Sequence, residues 1–163
     1  MSLTSQIKEE FNRRVFNESF ERINSCLNLL TEEQVWYSPN ENTNSIGNLI
    51  LHLIGNANQW IIGSFEKREV NRQRSKEFIP GQDLKKEELK KRLSQLKSEM
   101  LPLIEGLSET DLIENYNVQV YNEKGINILV HVIEHFSYHT GQIALLTKLI
   151  ADKALNFYTY PLE

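Results

Sequence analysis

The sequence predicts an all-α protein, a four-helix bundle. Three observations carry that expectation. Apolar residues recur at three- and four-residue intervals over four separate stretches. Loop-forming segments at 31–44, 66–82 and 106–125 part those stretches, and no alternating run is long enough to found a sheet. The chain has 163 residues, 40% hydrophobic and 25% charged. That length suits one domain over residues 1–163, burying roughly two-thirds of the surface its unfolded form exposes.

Thr4 or Ser5 is placed to cap the first helix, which ends near Leu30. Ile7, Phe11, Val15, Phe16, Phe20, Ile23 and Leu27 form its apolar side. The segment TEEQVWYSPNENTN then reads as a connection, with Trp36 and Tyr37 expected to cover the mouth of the bundle. The second helix begins at Asn44 or Ser45 and buries Ile46, Leu49, Ile50, Leu53, Ala57, Trp60 and Ile61. His52, Asn56 and Gln59 run beside that stripe as a polar border.

Residues 66–82 are charged and end in the break Pro80-Gly81, so they read as a solvated connection. Asp83 is placed to cap the third helix, with Leu84, Leu89, Leu93, Leu96, Met100 and Leu103 facing inward. NYNVQVYNEKG allows a short strand or an extended crossover, with Tyr116, Val118 and Val120 on one side. The fourth helix runs from about Ile126 to Ala151 and is the most apolar. The Phe- and Tyr-rich tail is expected to pack across one end.

The formal charge of −4 is modest; residues 66–99 carry a net +4, which leaves −8 for the rest. The overall charge argues weakly against a nucleic-acid partner, and the basic stretch reads as a solvated connection and outer helix face, with an anion-binding edge as the alternative. No stretch reaches the length of a membrane span, and the N-terminal MSLTSQIKEEF lacks the apolar core of a signal peptide. The single cysteine, Cys26, fits a reducing compartment and reads as a small buried hydrophobe. A cytoplasmic protein without membrane association is expected.

The chemistry concentrates in four histidines, all in apolar helices: His52 on the second, and His131, His135 and His139 at four-residue spacing on the fourth. Four residues slightly exceed one turn, so His135 and His139 share a face with Cβ atoms about 6 Å apart. On a helical wheel they fall on a buried stripe with Ile128, Val132, Ile143, Leu146 and Ile150, and His131 lies toward its edge. Two imidazoles so placed suit one ion at about 2.1 Å each, and His52 is the remaining histidine able to complete a set of three. Imidazole accepts Zn, Ni or Fe in their divalent forms without adding negative charge to the interior. Three protein ligands leave a position open, where water, hydroxide or thiolate would have its pKa lowered. As isolated residues, each histidine also fits a hydrogen-bonded core role. His131 is a candidate for catalysis, or for holding water or a rim carboxylate. Glu134, near it on the wheel, is a candidate general base.

HVIEHFSYHTGQI, together with SIGNLILHLIGN upstream, resembles the DinB-like superfamily of metal-dependent helical bundles, and the similarity spans essentially the whole chain. The resemblance implies an up-down-down-up four-helix bundle with long crossover connections, usually a homodimer. It assigns divalent-metal ligation to His52, His135 and His139. Thr140 stands where that family most often has Arg. Gly141 and Gln142 match the motif, Gly141 implying a close backbone approach and Gln142 a hydrogen bond across the bundle. The implied activity is transfer of a low-molecular-weight thiol cosubstrate, of the bacillithiol or mycothiol kind, to an electrophilic small-molecule substrate. Alternatives are a nonenzymatic metal-binding stress or interaction protein, or a metal-dependent hydrolase.

Overall fold

The computed structural model describes residues 2–80 and 84–158. Four long helices dominate it. The first, α1, runs from Leu3–Phe11 through a π-helical stretch, Asn12–Ser19, into Phe20–Leu29. Its cap is Ser2, whose hydroxyl accepts from the Ser5 amide, two to three residues earlier than the sequence placed it.

The expected connection contains a short helix, α2 (Glu32–Trp36), closed by a reciprocal Thr31–Gln34 capping box. Trp36 Nε1 donates to the Leu84 carbonyl at 2.7 Å, and its ring lies against Gly47, where a Cβ would overlap it. Tyr37, assigned the same covering role from sequence, is instead 50% exposed. Helix α3 comprises Ile46–Ala57, a π-helical turn at Asn58–Ile62, and Gly63–Phe65. Ser45 caps it in a box with Asn48, and every apolar residue assigned to its buried stripe is buried.

A short helix, α4 (Arg74–Glu77), sits within the charged crossover. Helix α5 (Lys86–Gly106) follows and buries Leu89, Leu93, Leu96 and Met100. Gly81 and Asp83, assigned to a break and a cap from sequence, lie outside the described residues. After α6 (Glu109–Ile113) comes an antiparallel hairpin, β1 (Asn115–Val118) and β2 (Tyr121–Lys124), pairing Asn115 with Lys124 and Val118 with Tyr121. Tyr116 and Val118 are buried as expected, but Val120 is 89% exposed because it falls in the two-residue turn. Helix α7 (Gly125–Ala151) completes the bundle.

Helix α7 lies against both α1 and α3, α3 also packs on α5, and α1 meets α5 on the far side. Aromatic side chains bind α1 to α7: Phe20 stacks on Phe136 at 5.3 Å, and Phe16 meets Phe20 edge-on at 5.5 Å. Such pairs contribute about 0.5–1.5 kcal/mol beyond area burial. Cys26 is fully buried in this core. In the tail, Leu155 and Phe157 pack on the core and Arg22 stands 5.6 Å over the Phe157 ring; residues 159–163 of that expected cover lie outside the described residues. No helix among the described residues is long and apolar enough to cross a membrane.

Candidate metal centre

Contact between α3 and α7 brings together three histidines distant in sequence. The His52 ring lies 4.9 Å from that of His135 and 5.1 Å from that of His139, which are 4.5 Å from each other. One nitrogen from each falls within 4.8 Å of the others, and no further His, Cys or carboxylate joins this group among the described residues. His52 Nε2 and His135 Nε2 are 3.0 Å apart. Two nitrogens at that distance share a proton or turn their lone pairs on a common cation. The donor set therefore fits a divalent ion of the borderline class.

The wheel derived from sequence needs one correction. The deepest positions on α7 are Ile128, Leu129, Val132, Phe136, Ile143 and Thr147, with Thr140 also buried, whereas His135 is half-buried. Phe136 takes the centre because its ring stacks on α1, which turns His135 and His139 to the flank that meets α3. Helix α3 is held there by its cap: Asn48, besides closing the box, donates through Nδ2 to the carbonyls of Glu77 and Ile79 at 2.8 and 3.0 Å.

Two of the three rings have a partner on their second nitrogen. His139 Nδ1 lies 2.7 Å from Gln142 Oε1, so the hydrogen bond stays within α7 instead of crossing the bundle. His52 Nδ1 lies 2.9 Å from Glu77 Oε2. Arg72 forks onto both Glu77 oxygens, Nε to Oε1 at 2.7 Å and NH2 to Oε2 at 2.8 Å, while NH1 donates to Gln59 Oε1 at 3.1 Å. The side chains of Arg72 and Glu77 are only 5% and 10% exposed. The crossover that the sequence presented as solvated thus delivers a buried ion pair to the back of His52. Its charge density concealed it, because a burial pattern has no apolar period to follow there. Gly141, expected to admit a neighbouring backbone, faces open space.

Electrostatics favour the neutral form of the three α7 imidazoles. Burial, reinforced by the neighbouring rings of His139, His52 and His131 and by the Arg72 cation, pushes the His135 pKa down to about 3. His139 is lowered by burial, partly offset by Gln142, and His131 is lowered by burial against the pull of Glu134 and Glu123. For Glu77, burial alone would raise the pKa, but the hydrogen bonds from Arg72 and His52 outweigh it and the net shift is downward. An imidazole depressed from 6.5 to about 3 binds fewer protons folded than unfolded across that interval. Stability is therefore full above pH 6.5 and falls steadily as the pH drops toward 3. Metal-free protein is expected to melt at lower temperature at pH 4.5 than at pH 7, with a smaller difference in His135→Gln. A flat melting temperature over that span would contradict the assignment.

His131 stays outside the triad. Its ring stacks on Trp60 at 3.7 Å and on His135 at 5.4 Å, and its Nε2 lies 3.2 Å from Asn56 Nδ2. Asn56 Oδ1 is buried beside it with no partner in the protein. Glu134 is exposed, and its influence reaches His131 as a charge alone. Near the other side, a cleft of about 310 Å³ is lined by Asn42, Thr43, Asn44 and Leu49 opposite Gln142 and Leu146. The first long connection thus borders the residue that orients His139.

Comparison with known proteins agrees with this architecture. A family model described as "Protein of unknown function (DUF1572)" matches residues 5–162. No curated protein matches the sequence. Among solved structures, a DinB-like protein of Bacillus subtilis, YjoA, is 17% identical and superposes with a TM-score of 0.67, covering 94% of this chain and 97% of that one. A DinB-like protein of Bacillus cereus is 14% identical with a TM-score of 0.71, covering 93% and 97% respectively. A conserved protein of Enterococcus faecalis is 18% identical with a TM-score of 0.65, covering 94% and 99%. Similarity over nearly the full length of each chain, together with the family match, makes this chain a member of the DUF1572 family with the DinB-like helical fold.

Proposed function

We propose that His52, His135 and His139 hold a divalent metal with an open position, and that the protein uses it to transfer a low-molecular-weight thiol to an electrophilic small molecule. The observation that carries this reading is the convergence of three imidazole nitrogens within 4.8 Å, from two helices, with no fourth protein ligand among the described residues. A divalent ion supplies a thiol bound to it with a lowered pKa, and so a thiolate at neutral pH.

The surrounding residues support a thiol over water. Arg72 matches the charge of Glu77, so the cluster receives no net anionic counter-charge and favours an anionic ligand. Hydrolysis needs a free general base, and Glu77 is already committed to His52 and Arg72. A thiol needs none of comparable strength, because a cation beside it lowers its pKa and its proton passes to solvent. The sulfur then bonds to the electrophilic carbon and the leaving group departs with the displaced electron pair. Cys26 is fully buried in the core, consistent with a borrowed thiol.

We also assign the outer face of α7 to a second copy of the chain. Val130, Tyr138, Leu145 and Leu149 are each more than half exposed there, alongside the open Gly141. The activity is tested by incubating zinc-loaded protein with a panel of low-molecular-weight thiols and electrophiles and detecting the thioether by mass spectrometry. Product that disappears in His135→Ala is the expected result. Metal-loaded protein that forms no thioether across the panel, but hydrolyses ester or amide substrates, would replace this reading with the hydrolase.

A further inference from the structure

We infer that Glu77 is the positioning residue of the metal centre, fixing which nitrogen of His52 faces the cluster; this rests on the metal reading above for its purpose and on the observed geometry for its substance. An imidazole carries one proton when neutral, so only one ring nitrogen can offer a lone pair to a cation. His52 Nδ1 has two possible partners: it can donate to Glu77 Oε2 at 2.9 Å, or accept from Arg72 NH2 at 3.1 Å. The two are mutually exclusive. Arg72 NH2 already donates to Glu77 Oε2 at 2.8 Å, and a carboxylate is the stronger acceptor. The proton therefore sits on Nδ1, and the Nε2 lone pair points toward His135.

The carboxylate is held there by a purpose-shaped surface. Asn48, His52, Gly55 and Gln59 are spaced to share one face of α3, and each engages the 70–79 crossover. Asn48 holds the backbone of Glu77 and Ile79, and Gln59 anchors Arg72. At Gly55 a methyl group would overlap Glu77 Oε1 and press on Arg72 Nε. A glycine inside a helix is unfavourable relative to alanine, and here it leaves room for the carboxylate to lie flat against the helix. Phe78, whose ring is 4.9 Å from that of His52, closes the remaining side. Gln142 does for His139 what Glu77 does for His52, with a neutral oxygen in place of a charged one.

Two measurements decide it. In ¹⁵N-labelled, chelator-treated wild-type protein at neutral pH, long-range ¹H–¹⁵N correlation is expected to show His52 protonated on Nδ1. Protonation on Nε2 would overturn the inference, and this readout needs no variant that must fold. In competition titrations with Zn²⁺, Glu77→Gln is expected to weaken binding roughly 10–100-fold relative to wild type, the usual effect of losing an outer partner of a ligating histidine. Gly55→Ala, which displaces the carboxylate without removing it, is expected to move affinity in the same direction. Unchanged zinc affinity in both would also overturn it. Wild-type protein that takes up no zinc would refute the metal reading, while the His52 proton position would still judge the role of Glu77.

Discussion

Substitution His135→Ala is expected to abolish stoichiometric divalent-metal binding while leaving the helices formed. His135 contributes the nitrogen that meets His52 Nε2 at 3.0 Å, and its ring stands between those of His131 and His139. Losing one of three ligands removes a direct bond, so the affinity loss should exceed the roughly 10–100-fold cost of losing an outer partner. Residue 135 is half-buried on the flank of α7, away from the Phe20–Phe136 stack that joins α7 to α1. The helical circular dichroism signal should therefore survive. His131→Ala is the control, because His131 lies outside the triad and packs on Trp60. Elemental analysis of untagged protein, with zinc titration of the chelated form, reads both. Stoichiometric zinc retained by His135→Ala would remove it from the ligand set, and zinc lost equally from His131→Ala would enlarge that set.

Substitution Arg72→Ala is expected to destabilise the protein by about 3–5 kcal/mol, the cost of stranding one member of a buried ion pair. Arg72 supplies three of the hydrogen bonds that end on Glu77 and Gln59, from a side chain 5% exposed. Without it, Glu77 retains His52 as its one side-chain partner among the described residues, in surroundings that disfavour its charge. The solvated pairs along α1, such as Arg13–Glu10 and Arg14–Glu18, belong to a different class. Their removal should cost far less, because solvent screens them. Urea denaturation of metal-free protein distinguishes the two. The double variant Arg72→Met with Glu77→Leu should recover part of the loss, since it leaves no unpaired charge behind. A cost below about 1 kcal/mol for Arg72→Ala would show that water reaches the pair freely.

What the sequence revealed follows from which interactions are local. The four-residue spacing of His135 and His139 is a property of one helix, so it could be read directly. The apolar stripe of α3 and its start at Asn44 or Ser45 were legible for the same reason. The pairing of His52 with them needed only that the two histidine-bearing helices meet. Glu77 and Arg72 were missed because their partners lie on α3, 13 to 25 residues earlier in the chain, across a crossover with no periodic cue. Gly55 was the available hint: a glycine amid apolar helix residues marks a place where something must come close. Gly141 offered the same hint on α7, but the space above it is open. Gln142 was assigned to the wrong partner, since a residue three positions from His139 was near enough to bond it within the helix. Val120 was miscounted because a two-residue turn interrupts the alternation that the strand pattern relied on.

The widened turn at Asn58–Ile62 limits how this helix can change its length. The turn already holds one residue more than an α-turn, so inserting another at its start, before Trp60, would rotate everything after it by about 100°. Trp60 would swing off His131, Phe65 would lose its edge-on contact with Tyr116, and the chain leading to Arg72 would depart in another direction. A single-codon insertion in that turn, harmless to the helix as a helix, would unfasten the carboxylate from the histidine it serves.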